Sequence, residues 1–213
     1  MKKRDNNRER GKKPAFDVNR FALLAASMAL INFLTSMLVN FLKLPIFLDT
    51  WATSLGVVIG GVWVGVAGGV LYNFLMALLT SWGPSSWVWG FCSAAVALVT
   101  WLFWKNGWFD LRKPLKLLVA GLGVGLVTAV TGFGVQVVFF GGHATNHPVA
   151  VVYNAFLNWT GNNLLASFLE QVAINIVDKP VSVFIAAGVA FLIMTKKEEG
   201  KTGGKMRNAR RGD

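Results

Sequence analysis

The chain has 213 residues, of which 54% are hydrophobic and only 15% charged, with a formal net charge of +11 and a mean hydropathy of +0.51. A soluble domain carries about 25% charged residues, so a water-facing globular surface is excluded. The lone Cys92 excludes an intrachain disulfide.

The charge is not spread evenly. Residues 1–20 hold Lys2, Lys3, Arg4, Arg8, Arg10, Lys12, Lys13 and Arg20. A central segment holds Lys105, Arg112, Lys113 and Lys116, and the last residues hold Lys196, Lys197, Lys201, Lys205, Arg207, Arg210 and Arg211. Only Lys43 and Lys179 lie elsewhere. Basic residues collect in cytoplasmic loops and set orientation, which accounts for this distribution without nucleic acid. The expectation is a multi-pass protein with both termini and its middle loop in the cytoplasm, its basic residues also touching anionic lipid.

In chain order, residues 1–20 read as a basic tail. Residues 21–42 form the first span, since 22 mostly apolar residues at about 1.5 Å each cross a core of about 30 Å. This stretch is too long for the apolar core of a signal peptide, so it reads as retained. Pro45 then interrupts, and Asp49-Thr50 offers capping chemistry for the next helix. Residues 50–82 exceed one span and carry Gly60-Gly61, Gly65 and Gly68-Gly69. They read as two closely packed spans, 50–66 and 67–81, because small residues let backbones approach in lipid. A turn with Trp82, Pro84, Trp87 and Trp89 precedes a fourth span at 87–104, and a fifth follows the basic loop at 115–140. The last span is 180–195, followed by a basic flexible tail at 196–213.

Residues 149–176 are helical in pattern yet polar. Asn154, Asn158, Asn162, Asn163, Glu170, Gln171 and Asn175 make the segment a poor lipid-facing span, because polar groups are costly in hydrocarbon. A seventh crossing would also separate the two basic ends. The fold class expected is therefore an all-α integral membrane protein with six transmembrane helices in a 21–195 domain. An additional helical or re-entrant segment lies between spans 5 and 6.

Six crossings place Lys43, Asp49, His143, His147, Glu170, Asp178 and Lys179 on the outer side. Charges near span ends are either solvated or paired over a site. Trp82, Trp87 and Trp89 share one turn and either anchor the interface or stack on a flat ligand. Lys179 invites a carboxylate or phosphate. His143 and His147 lie in a Gly/Pro-bounded loop without further donors, so no metal and no cofactor is expected. Residues 200–202 resemble the end of a P-loop but lack its first glycine and preceding strand, and no catalytic constellation occurs, so the chain is not read as an enzyme. Ala22, Ala25, Ala26 and Ala29 make two small-xxx-small pairs on span 1, serving either internal packing or docking of another membrane subunit.

Three features together resemble the S components of energy-coupling factor (ECF) transporters. They are the loop Pro45 to Thr50 after span 1, the Gly-rich pair from Gly68-Gly69 to Asn73, and Phe140-Gly141-Gly142 with the Asp178-Lys179-Pro180 helix. The resemblance implies a substrate-binding subunit of a prokaryotic plasma-membrane ABC transporter that captures a small vitamin-like molecule. It implies as partners a transmembrane coupling subunit and two ATPase subunits, with docking through Ala22, Ala25, Ala26 and Ala29. The residues expected at the pocket or its rim are Asp49, Trp51, Trp87, Gln136, His143, Asp178 and Lys179. The alternative is a ligand-binding sensor or scaffold that does not transport.

Overall fold

The computed structural model describes residues 17–142 and 149–209, with side chains as far as Lys196. Helix α1 (Val18–Phe41) starts at Asp17, whose carboxylate accepts the Arg20 N–H at 3.1 Å. Helices α2 (Trp51–Gly60) and α3 (Val62–Leu79) follow. A 3-10 turn (Pro84–Trp89) leads into α4 (Gly90–Lys105). Helix α5 (Pro114–Phe140) begins on a proline, where a missing N–H costs nothing. Helix α6 (Ala150–Thr160) precedes α7 (Asn163–Ala209). No strand occurs among the described residues. Five helical stretches are long and apolar enough to cross a membrane, and α2 is a shorter apolar helix. The chain is thus an all-helical, multi-pass membrane protein in architecture.

The paired short spans are divided differently from expectation. The break falls at Gly61, not near residue 66, because Gly61 takes a φ of +93° that other residues rarely adopt. The 43–50 loop also does not run along the rim. Asn32 donates to Thr53 Oγ1 at 2.9 Å and accepts the Ala52 N–H at 3.1 Å. Asn32 lies nine residues before the end of α1, which is about 13 Å of helix rise. The loop therefore dips well into the bundle, and α2 covers only the remaining depth.

A second correction concerns the end of the chain. The expected boundary at Asp178-Lys179-Pro180 is absent, and α7 runs through Pro180 without a break. Instead the helix starts anew after Gly161, which takes a left-handed φ of +63°. The 149–176 segment is therefore not one unit. Its first part is α6 and its second part is the first half of α7. The reason is a polar stripe. Ser167, Glu170, Gln171, Asn175, Asp178 and Ser182 recur every three or four residues and are buried, while Leu164, Leu165, Phe168, Ile176, Val177 and Val181 are exposed. Between Ser167 and Ser182, helix α7 thus keeps this polar stripe inside the bundle and its apolar side chains out.

Glycines hold α5 tightly against that stripe. A Cβ on Gly125 would lie 2.6 Å from the Asn175 carbonyl oxygen, and one on Gly121 would lie 2.6 Å from the Pro180 Cα. A Cβ on Gly132 would strike the Gln171 amide.

Two packing clusters define one end of the bundle. Phe21 and Leu24 of α1, Ile59 and Val64 beside the Gly61 break, Phe109 and Leu111 of the α4–α5 loop, and Ala187 and Ala190 of α7 meet there. Arg20, Lys105, Arg112, Lys113, Lys116 and Lys196 border these segments in sequence. At the opposite end Met37, Met76, Trp82, Val88, Trp89 and Phe140 pack together in two further clusters.

Candidate functional site

The dipping loop is fixed by one carboxylate. Asp178 Oδ1 accepts the N–H groups of Phe47 at 3.2 Å and Leu48 at 2.7 Å. Leu48 takes a left-handed φ of +45°, a strained conformation for a branched side chain. The turn carries the chain from the Asp178 contact to Asp49 at the cavity wall. There Lys179 Nζ donates to Asp49 at 3.1 Å and to Asp178 Oδ2 at 2.5 Å, and sits 5.6 Å from the centre of the Phe47 ring. The side chains of Lys179 and Asp178 are 2% and 0% exposed. An ammonium taken out of water needs such compensation. Two carboxylates supply it here, and the trio keeps one net negative charge.

A second group lies further along α7. Glu170 Oε2 accepts from Gln136 Nε2 at 2.9 Å and from Gln171 Nε2 at 3.3 Å. Ser167 donates to the Gln136 carbonyl. Asn175 Nδ2 donates to the Gln171 backbone oxygen at 2.8 Å and to its side-chain oxygen at 3.2 Å. Each of these amide nitrogens, on Gln136, Gln171 and Asn175, donates within the network. Glu170 Oε1, Asn175 Oδ1 and Thr50 Oγ1 remain buried with no hydrogen-bond partner among the described residues. Buried unpaired polar atoms are uncommon in folded proteins and each one asks for an explanation.

All three of those residues line one cavity of about 530 Å³. That is within the size range of small-molecule sites, about 300–1,000 Å³. Its polar wall includes Asp49, Asn73, Thr128, Gln136, Gln171 and Lys179, and its aromatic wall is Phe47, Tyr72, Trp82, Trp89 and Phe140. The Tyr72 hydroxyl pairs with Ser36 at 2.7 Å, and Asn73 donates to Ser93 at 2.9 Å. Trp89 and Phe140 stack with centroids 5.7 Å apart. The cavity sits at the end of the bundle away from the basic loops.

Of the residues expected at the pocket, Asp49, Gln136 and Lys179 line the cavity, and Asp178 stands directly behind Lys179. Lys179 is already engaged by two carboxylates, so it does not offer the open ammonium that the sequence suggested. Two of the expected aromatics, Trp51 and Trp87, are not among the residues that line this cavity. Trp51 is absent from the cavity wall because its indole N–H is turned to Thr35 at 3.1 Å. Trp87 points outward, 43% exposed, stacked at 6.3 Å on Phe74. His143 lies outside the described residues, as does His147. Sequence reasoning missed Glu170, Asn175 and Thr50 as wall residues, although the three-to-four spacing of polar side chains on α7 carried the signal for two of them.

The alanine set divides. Ala25 and Ala29 are 5% and 0% exposed and face α3, where a Cβ on Gly68 would lie 3.1 Å from the Ala25 carbonyl oxygen. They pack inside the bundle in this structure. Ala22 and Ala26 are exposed, on the same outer side as Leu23, Leu30 and Leu34.

No protein-family model, curated protein or solved structure matches this chain.

Proposed function

We propose that this chain is the substrate-specific membrane subunit of an ECF-type transporter. It captures a small molecule from outside the cell in the deep cavity and releases it inward after docking on a transmembrane coupling subunit driven by two ATPase subunits. The observation that carries the reading is the cavity itself: about 530 Å³, walled by aromatics, and lined by buried polar atoms that have no partner among the described residues.

The topology supports it. Basic residues border one end of the bundle and the cavity lies at the other. With the basic end in the cytoplasm, α1, α2 with its loop, α3, the 3-10 turn with α4, α5 and α7 make six passages. Both chain ends then lie inside and the cavity faces outward. The cell membrane of a prokaryote is the compartment such a transporter needs. Within α1, Ala22 and Ala26 are the small exposed residues left to meet a coupling subunit.

The test has two arms. Mass spectrometry of the purified protein should reveal a carried small molecule. Uptake of that molecule by cells should require the coupling and ATPase subunits together with this chain. Ala26→Trp should abolish uptake while leaving binding intact. Binding without any coupling-dependent uptake would instead make the chain a sensor or scaffold.

A further inference from the structure

The charges around the cavity are unbalanced. Asp49 and Glu170 line the cavity with Asp178 behind Lys179, and no Lys or Arg other than Lys179 lines it among the described residues. Lys179 has both carboxylates within 3.1 Å. An anionic ligand would have to take it from them. Two of the three vacant positions are of the opposite kind, and the third, the Thr50 hydroxyl, can donate or accept. Glu170 Oε1 and Asn175 Oδ1 are acceptors, both belong to residues no more than 1% exposed, and neither has a donor. A buried acceptor without a donor costs free energy, and a ligand bearing N–H groups removes that cost. The aromatic wall favours the same sign, because ring faces attract cations.

We propose that the cavity takes a small organic cation with N–H donors at two places, such as an amidinium or a protonated amino-heterocycle. The cationic donor meets Glu170 Oε1 and the second donor meets Asn175 Oδ1, with the flat body against Trp82 and Trp89. The two acceptor residues are five apart on α7, so roughly 7 Å of rise separates them, and the ligand must span that distance. This inference rests on the capture reading and narrows its substrate class.

Three probes of one shape test it: 4-aminobenzamidine, 4-aminobenzamide and 4-aminobenzoate, which differ at one end in charge. Calorimetric titration of the unmodified protein in nanodiscs should rank them cation, neutral, anion, with about tenfold in affinity between cation and neutral. Glu170→Gln should remove most of the cation's advantage over the neutral probe. A benzoate that binds as well as the amidine, or no saturable binding of any probe, overturns the inference. So does a carried molecule that is anionic or lacks N–H donors, although the capture reading would then stand. Only the absence of both a carried molecule and probe binding would remove the two together.

Discussion

Lys179 holds together parts of the chain that are 130 residues apart. Its removal would leave Asp178 buried and unpaired, and breaking a buried ion pair costs about 3–5 kcal/mol. Lys179→Met should therefore lower the unfolding midpoint in a detergent titration by that order, and the loss should exceed that of Asp49→Asn, whose carboxylate is 24% exposed on its side chain. The sequence made Asp49, Asp178 and Lys179 conspicuous because isolated charges near apolar runs are rare and expensive. It did not reveal that the three pair with one another, since the pairing depends on the depth of the 43–50 loop. Trp51 and Trp87 were equally conspicuous, yet their rings face Thr35 and Phe74. Aromatic content signals an interface or a pocket, while only packing decides the direction of each ring.

Helix pairing turns on a few missing side chains. At Gly125 even a methyl group would meet backbone, 2.6 Å from the Asn175 carbonyl oxygen. Gly125→Ala should destabilise the fold by about 1–3 kcal/mol. Gly134, on the same helix, has open space where a Cβ would stand, and Gly134→Ala should be neutral or stabilise by about 0.4–1 kcal/mol. The comparison is read from the two midpoints under identical detergent conditions. Likewise Ala29→Leu should reduce the yield of folded protein, because Ala29 is 0% exposed, whereas Ala26→Leu should not. Glycine and alanine spacing made close contacts legible in the sequence, but not which helix each contact would face. Pro180 misled for a related reason. It looks like a terminator, but the helix absorbs it where Gly121 leaves room for it.

At the scale of the molecule, most of the architecture was legible in the distribution of basic residues and apolar lengths. The exception was the polar half of α7, read as unfit for a span because the stripe was weighed against lipid and not against α5. The proposed sidedness rests on the same charges and is directly measurable. Cys92 is 8% exposed, so it should give little background to a membrane-impermeant thiol reagent. Ser85→Cys, in the 3-10 turn, should label from outside intact cells, and Asn106→Cys, beside the basic loop, only after permeabilisation. Equal labelling of both from outside would overturn the proposed orientation.

The shortness of α2 bears on all three scales. Non-helical backbone cannot face hydrocarbon, because its amide groups would go unpaired there. The 43–50 segment passes from exposed at residues 43–45 to buried at Thr50, and beyond its buried end α1 shields the start of α2 through Asn32, which holds Thr53 and the Ala52 N–H. Helix α1 is thus a bulkhead as well as a crossing. Loosening its seam with α3 should admit water or lipid to the hollow before it unfolds anything, and a leaking chamber would surrender its guest while the bundle still stood.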